Sequence, residues 1–164
     1  RVSPERAAEL ARTVRQQLTC VAVTQHPLQQ EIDVIVHEVH PDLLQSDLGD
    51  FAQLHLPQRL ARLPVVRAAD APLAAYPARI LFEGTRSGSG ETGDWQQAAA
   101  LARHTRLILA GGLHAGNVGA AIRAVRPFGV DTSSGVESRP GLKSAEKIAE
   151  FVKAARTAFS EIEA

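Results

Sequence analysis

Two stretches of small residues permit a particular chemistry: Ala110-Gly111-Gly112-Leu113 and, further along, Ser133-Ser134-Gly135. Each follows a short apolar run, Leu107 to Ala110 and Gly129 to Asp131, and each is succeeded by a helical pattern. A phosphate group needs several backbone N–H donors aimed at it and no side chains in the way. Glycine allows that approach, and the start of a helix adds a favourable dipole. Alone, either pair has a structural reading: Gly111 and Gly112 as a tight turn, Ser133 and Ser134 as helix caps. Both pairs together, on the last two strands of one pattern, favour a phosphate site.

The elements that must position these exits alternate along the chain. Ser3-Pro4 followed by "ERAAELARTVRQQL" is a helix start, with serine as cap and proline at the first helical position. "TCVAVT" (19–24) is a β-branched strand, and "LQQEIDVIVHEV" (28–39) carries Ile32, Ile35, Val36 and Val39 on one helical face. Strands follow at 42–46, 64–69, 79–84, 106–111 and 129–133. Helices are expected at 95–104, with Asp94 as cap, at 117–125 and at 144–159. The stretch 50–63 is mixed, helical at first and interrupted near Pro57. Six strands alternating with helices require an α/β fold with a parallel sheet and right-handed crossovers, in one domain spanning residues 1–164. The strand count alone suits an open doubly wound sheet; a (β/α)8 barrel needs eight.

Composition narrows the function. Eighteen basic residues balance eighteen acidic ones, so a broad basic footprint for nucleic acid is not expected. Only 4% of residues are aromatic, which leaves a core of Ala, Val, Leu and Ile suited to helices on parallel strands. Cys20 is the single cysteine, so no internal disulfide framework exists, in keeping with a reducing cytoplasm. No apolar run approaches the roughly 20 residues that span a bilayer. The six histidines (His26, His37, His40, His55, His104 and His114) show no metal-ligand spacing, and no metal is expected.

"LILAGGLHAGNVGAAI", "GVDTSSGVE" and "PGLKSAEKI" resemble, in order and spacing, the carboxy-terminal third of phosphoribosylanthranilate isomerase, a tryptophan-pathway family. Upstream, "RVSPERAAEL" is similar to the family's approach to its second barrel helix, "PDLLQ" to its fourth strand and "LPVVRA" to its fifth. The resemblance implies a (β/α)8 TIM barrel matched from just after the second strand. On that basis the first strand, first helix and second strand are expected to lie upstream of Arg1, in about 40 further residues.

The resemblance also implies a reaction: an Amadori rearrangement of N-(5-phosphoribosyl)anthranilate to the aminoketose, by acid and base, without metal or organic cofactor. The family's base is a cysteine after the first strand, a segment this chain does not match; Cys20 lies at the start of a different strand and reads as a spectator. The family's acid is an aspartate ending the sixth strand, where this chain carries Glu83. Arg1 matches the arginine near the anthranilate carboxylate. Asp131 is a candidate to orient substrate, and equally a turn-capping carboxylate. Gly111, Gly112, Ser133, Ser134 and Gly135 match the phosphate exits, with Lys143 a lesser candidate beside them. A second departure is "QSDLGD" (45–50) where the family reads Gln-Leu-His-Gly, which puts Asp47 at the histidine position. Two further readings stand: a histidine-pathway isomerase with the same phosphate exits, and a non-catalytic phosphate-binding relative. A monomer or homodimer is expected.

Overall fold

The computed structural model describes residues 2–70, 75–84 and 92–163. Two units of chain make most of their contacts internally, the first Arg1–Val65 and the second Val66–Ala164.

In the first unit, helix α1 (Pro4–Val14) starts where Pro4 cannot donate and the Ser3 hydroxyl accepts from the Arg6 N–H at 3.3 Å. Strand β1 (Val21–Val23) pairs in parallel with β2 (Leu43–Asp47), which pairs in parallel with β3 (Ala61–Arg67). Between β1 and β2 runs α2 (Gln29–Glu38), whose apolar face carries Ile32, fully buried against Leu44, Leu54 and Leu60. The Arg15 guanidinium donates to the Val39 and His40 carbonyls at 2.6 and 2.8 Å, satisfying the end of α2 and tying it to α1.

In the second unit, β4 (Arg79–Glu83), β5 (Arg106–Ala110) and β6 (Gly129–Val130) pair in parallel in chain order. Helices α3 (Thr92–Ala102) and α4 (Val118–Val125) make the crossovers, and α5 (Ala145–Glu163) packs on α4. Ile80, Leu81 and Phe82 are consecutive and all buried, so β4 is covered on both faces, as a parallel strand requires.

All six expected strands form, each in a parallel ladder, and the fold class is α/β. Three local expectations change. The mixed stretch gives one 3-10 turn, Leu48–Ala52, which ends five residues before Pro57. Helix α3 begins at Thr92, so Asp94 lies in its first turn and is not its cap. After the 3-10 turn Ser134–Val136 comes an unforeseen antiparallel pair, β7 (Glu137–Arg139) with β8 (Leu142–Lys143), turned by Gly141 at φ +79°. No helix among the described residues is long and apolar enough to cross a membrane.

Candidate active site

The exits of β4, β5 and β6 meet at one end of the second unit, and glycine makes the meeting possible. Gly111 follows β5 at φ +99°; a Cβ there would stand 3.3 Å from the Gly84 nitrogen and 4.0 Å from Glu83 Cγ. A Cβ on Gly84 would in turn lie 2.5 Å from an Asp94 carboxylate oxygen. Gly112, also at positive φ, completes the turn, and its carbonyl accepts from the Asn117 side-chain amide at 3.0 Å. The same side chain accepts the His114 N–H at 2.8 Å, so one asparagine holds the turn against the start of α4.

The β6 exit docks onto this turn. The Asp131 N–H donates to the Leu109 carbonyl at 2.8 Å, and the Thr132 hydroxyl donates to the Leu113 carbonyl at 2.6 Å. At Gly135 a Cβ would fall 1.9 Å from that same Leu113 oxygen, so no larger residue fits this backbone. Beyond it, the Lys143 ammonium reaches back from β8 to the Ser133 carbonyl at 2.9 Å and the Ser133 hydroxyl at 3.0 Å. Among the described residues, no acceptor is placed against the backbone N–H groups of Gly112, Ser133, Ser134 and Gly135. Ser133 and Ser134 are exposed.

Two carboxylates share this end. Glu83, partly buried at the end of β4, lies 3.7 Å from the Arg67 guanidinium, and its backbone carbonyl accepts from the Ala68 N–H at 3.1 Å. Asp131 keeps one side open to solvent but is crowded at its flanks. That desolvation, and then the negative charge of Glu83, push its carboxyl above the ordinary aspartate value, while the Lys143 charge pulls it back. The geometry can therefore hold an anion at the glycine and serine turns with two carboxyls nearby in unlike surroundings.

The structure thus brings together Glu83, Gly111, Gly112, Asp131, Ser133, Ser134 and Gly135. Arg1 and residues 85–91 lie outside the described residues. Cys20 precedes β1, at the strand's entrance and not its exit, and its N–H donates to the Asp42 carboxylate at 2.7 Å. Arg67, Leu113, Thr132 and Asn117 were not singled out by sequence; the signal available was position, at or within three residues of a strand end for the first three and just before α4 for Asn117. Histidine spacing along the chain also hid a cluster in the first unit. His26 lies 3.4 Å from the Asp47 carboxylate and 3.1 Å from that of Asp50, and the ligand atoms of all three fall within 4.8 Å of one another. Asp50 additionally accepts from the buried Ser46 hydroxyl at 2.5 Å and from the His26 backbone N–H at 3.1 Å, so protein donors already occupy it.

Residues 1–154 match the family described as N-(5'phosphoribosyl)anthranilate (PRA) isomerase. The N-(5'-phosphoribosyl)anthranilate isomerase of Bordetella pertussis is 37% identical over 174 residues, covering 95% of this chain and 80% of the relative. That of Nitrobacter hamburgensis is 39% identical over 171 residues, covering 93% and 76%. The crystal structure of TrpF from Jonesia denitrificans matches with a TM-score of 0.78 at 30% identity, over 96% of this chain and 80% of that one. A phosphoribosyl anthranilate isomerase in complex with reduced 1-(o-carboxyphenylamino)-1-deoxyribulose 5-phosphate matches with a TM-score of 0.73 at 26% identity, over 95% and 80%. A family match over nearly the whole chain, with relatives matched along most of their length, leads to one assignment: the chain belongs to the N-(5'-phosphoribosyl)anthranilate isomerase family.

Proposed function

We propose that the β4, β5 and β6 exits form the working face of a (β/α)8 barrel, a single domain containing residues 1–164, and that this face isomerises N-(5-phosphoribosyl)anthranilate. The observation that carries this reading is the docking of the Ser133–Gly135 turn onto the Leu113 carbonyl. It sets two donor-rich exits side by side at the strand ends where barrels act. The 5'-phosphate sits against the N–H groups of Gly111, Gly112, Ser133, Ser134 and Gly135, which leaves the ribose ring directed toward Glu83 and Asp131.

In the first step Glu83 gives a proton to the ribose ring oxygen. The ring C–O bond breaks, and the anilino nitrogen's lone pair forms the C=N bond of the open imine. A base then removes the C2 proton, and the electron pair moves through C1 to neutralise the nitrogen, giving the enolamine. Its tautomerisation yields the aminoketose. Acid and base need opposite protonation states at one pH, which requires unlike surroundings. No residue of this chain matches the family's base cysteine, so Glu83 supplies half of the pair. Asp131 orients the sugar hydroxyls, and Arg1 pairs with the anthranilate carboxylate through its planar guanidinium. The reaction calls on no cofactor, its partner is the phosphoribosyl substrate, and the setting is cytoplasmic, as a monomer or homodimer.

A second reading of the acid has a specific observation behind it. The Asp131 carboxyl has its proton affinity raised by its surroundings, desolvation first. The test follows loss of phosphoribosylanthranilate fluorescence with the protein, its Glu83→Gln variant and its Asp131→Asn variant. Collapse of kcat in Glu83→Gln alone supports Glu83 as the acid. Loss of the acid limb of the pH profile in Asp131→Asn alone transfers the role to Asp131. Phosphate-ester binding without turnover in the parent would sink the isomerase reading and leave a binding protein.

A further inference from the structure

The ammonium of Lys143 has three N–H groups, and the structure accounts for each. They meet the Ser133 carbonyl at 2.9 Å, the Ser133 Oγ at 3.0 Å and the Glu137 carboxylate at 2.8 Å. Glu137 is itself fixed, since the Lys147 ammonium donates to its backbone carbonyl at 2.7 Å. The Lys143 hydrogen bond, first among the causes, holds the Glu137 carboxyl below the ordinary glutamate range, so the partner stays ionised. To clamp an anion directly, Lys143 would have to abandon one of these three acceptors.

Its effect on Ser133 is different. A hydroxyl that accepts from an ammonium has one lone pair occupied, its own proton turned away from the cation, and its O–H bond polarised into a stronger donor. Ser133 is exposed, and its hydroxyl proton has no acceptor among the described residues. The β7–β8 turn, closed by Gly141 at φ +79°, is what carries Lys143 back to the β6 exit.

Building on the phosphate site proposed above, we propose that Lys143 is a positioning residue for that phosphate: it presets the Ser133 hydroxyl as a donor and acts through the serine without touching the anion. Ser133 is then an oriented part of the site before ligand arrives, and the hairpin is the device that orients it.

The test titrates inorganic phosphate into the 164-residue chain, its Lys143→Met and Ser133→Ala variants and the double variant, by amide chemical-shift changes at Gly112, Ser134 and Gly135. The same proteins are assayed alongside for KM and kcat. Each single variant is expected to bind phosphate roughly tenfold more weakly. The double variant is expected to be no weaker than either single one, because the two residues form one unit. In turnover, Lys143→Met raises KM and spares kcat, the pattern of lost ground-state binding. Lys143→Arg, which can still donate to the serine, recovers most of the affinity and guards against a folding defect in Lys143→Met. Additive losses would mean the lysine touches the anion itself, and overturn the proposal. Unchanged binding in Lys143→Met and Lys143→Gln would do the same. No phosphate shift in the parent chain would instead remove the phosphate site, and this inference with it.

Discussion

The Thr132 hydroxyl and the backbone of Gly135 converge on one acceptor, the Leu113 carbonyl: the first donates to it at 2.6 Å, and a methyl group on the second would stand 1.9 Å away. The β6 exit is therefore fitted to the β5 exit by a hydrogen bond and by the absence of a side chain.

Gly135→Ala should break this fit. The new methyl meets backbone oxygen, which has no rotamer to escape into, so the turn must move. A loss of about 1–3 kcal/mol is expected, in the range of overpacked sites, with a large loss of phosphate affinity. Urea denaturation and phosphate titration check the two parts. Wild-type values in both would refute the close approach.

Glu83→Gln keeps the shape of the β4 exit and removes the transferable proton. The expected outcome is a fall in kcat of about 10²- to 10⁴-fold. Stability should stay within about 0.5 kcal/mol, because the side chain is partly exposed and its ion pair with Arg67 is long. Steady-state kinetics on parent and variant, with a thermal melt beside them, decide it.

Asp131 gives a pH signature of definite sign. Its folded carboxyl is raised by desolvation first and by Glu83 second. Between the ordinary aspartate value and the raised one, the folded chain holds a proton that the unfolded chain has released. Stability therefore falls as pH rises through that window. Asp131→Asn removes the penalty. The variant should be more stable than the parent at neutrality, with the advantage shrinking in acid, as read from urea midpoints at the two conditions.

Asp50 has the opposite sign. Burial would raise its carboxyl, but hydrogen bonds from Ser46 and His26 outweigh it, and the net shift is downward. Stability from this group is present above the ordinary aspartate value and lost as pH falls through the depressed one. Ser46→Ala removes a buried donor to a charged acceptor and should cost about 1–3 kcal/mol at neutrality. The difference from the parent should close in acid. An unchanged acid-unfolding midpoint would count against the role given to Ser46.

What could be read along the chain was whatever has a short period or a local signature. The apolar face of α2, the buried run of β4 and the small residues leaving β5 and β6 are of this kind, and so is the carboxyl ending β4. The contacts that turn those exits into a site are not. Thr132 finds a carbonyl nineteen residues earlier, and Lys143 finds Ser133 only because an antiparallel turn doubles the chain back. His26 follows β1, whereas Asp47 ends β2 and Asp50 sits in the 3-10 turn after it, a grouping that spacing rules built on single helices cannot see. The one-residue choice between Asp94 as cap and Asp94 within α3 also lay beyond sequence, since helix ends shift by a residue or two under tertiary contacts.

Within each unit, every strand of the parallel ladders pairs with its neighbour in chain order, a partner roughly 20 to 30 residues away. Closing loops of that length costs an entropy that grows only slowly with their size. Each strand–helix–strand step can therefore be laid down beside the last without waiting for distant chain. The exits carry the chemistry while the ladders carry the order of assembly. A substitution such as Glu83→Gln or Lys143→Met should then alter turnover or affinity while leaving the refolding rate of the unit untouched, which frees the exits to diverge independently of the folding route.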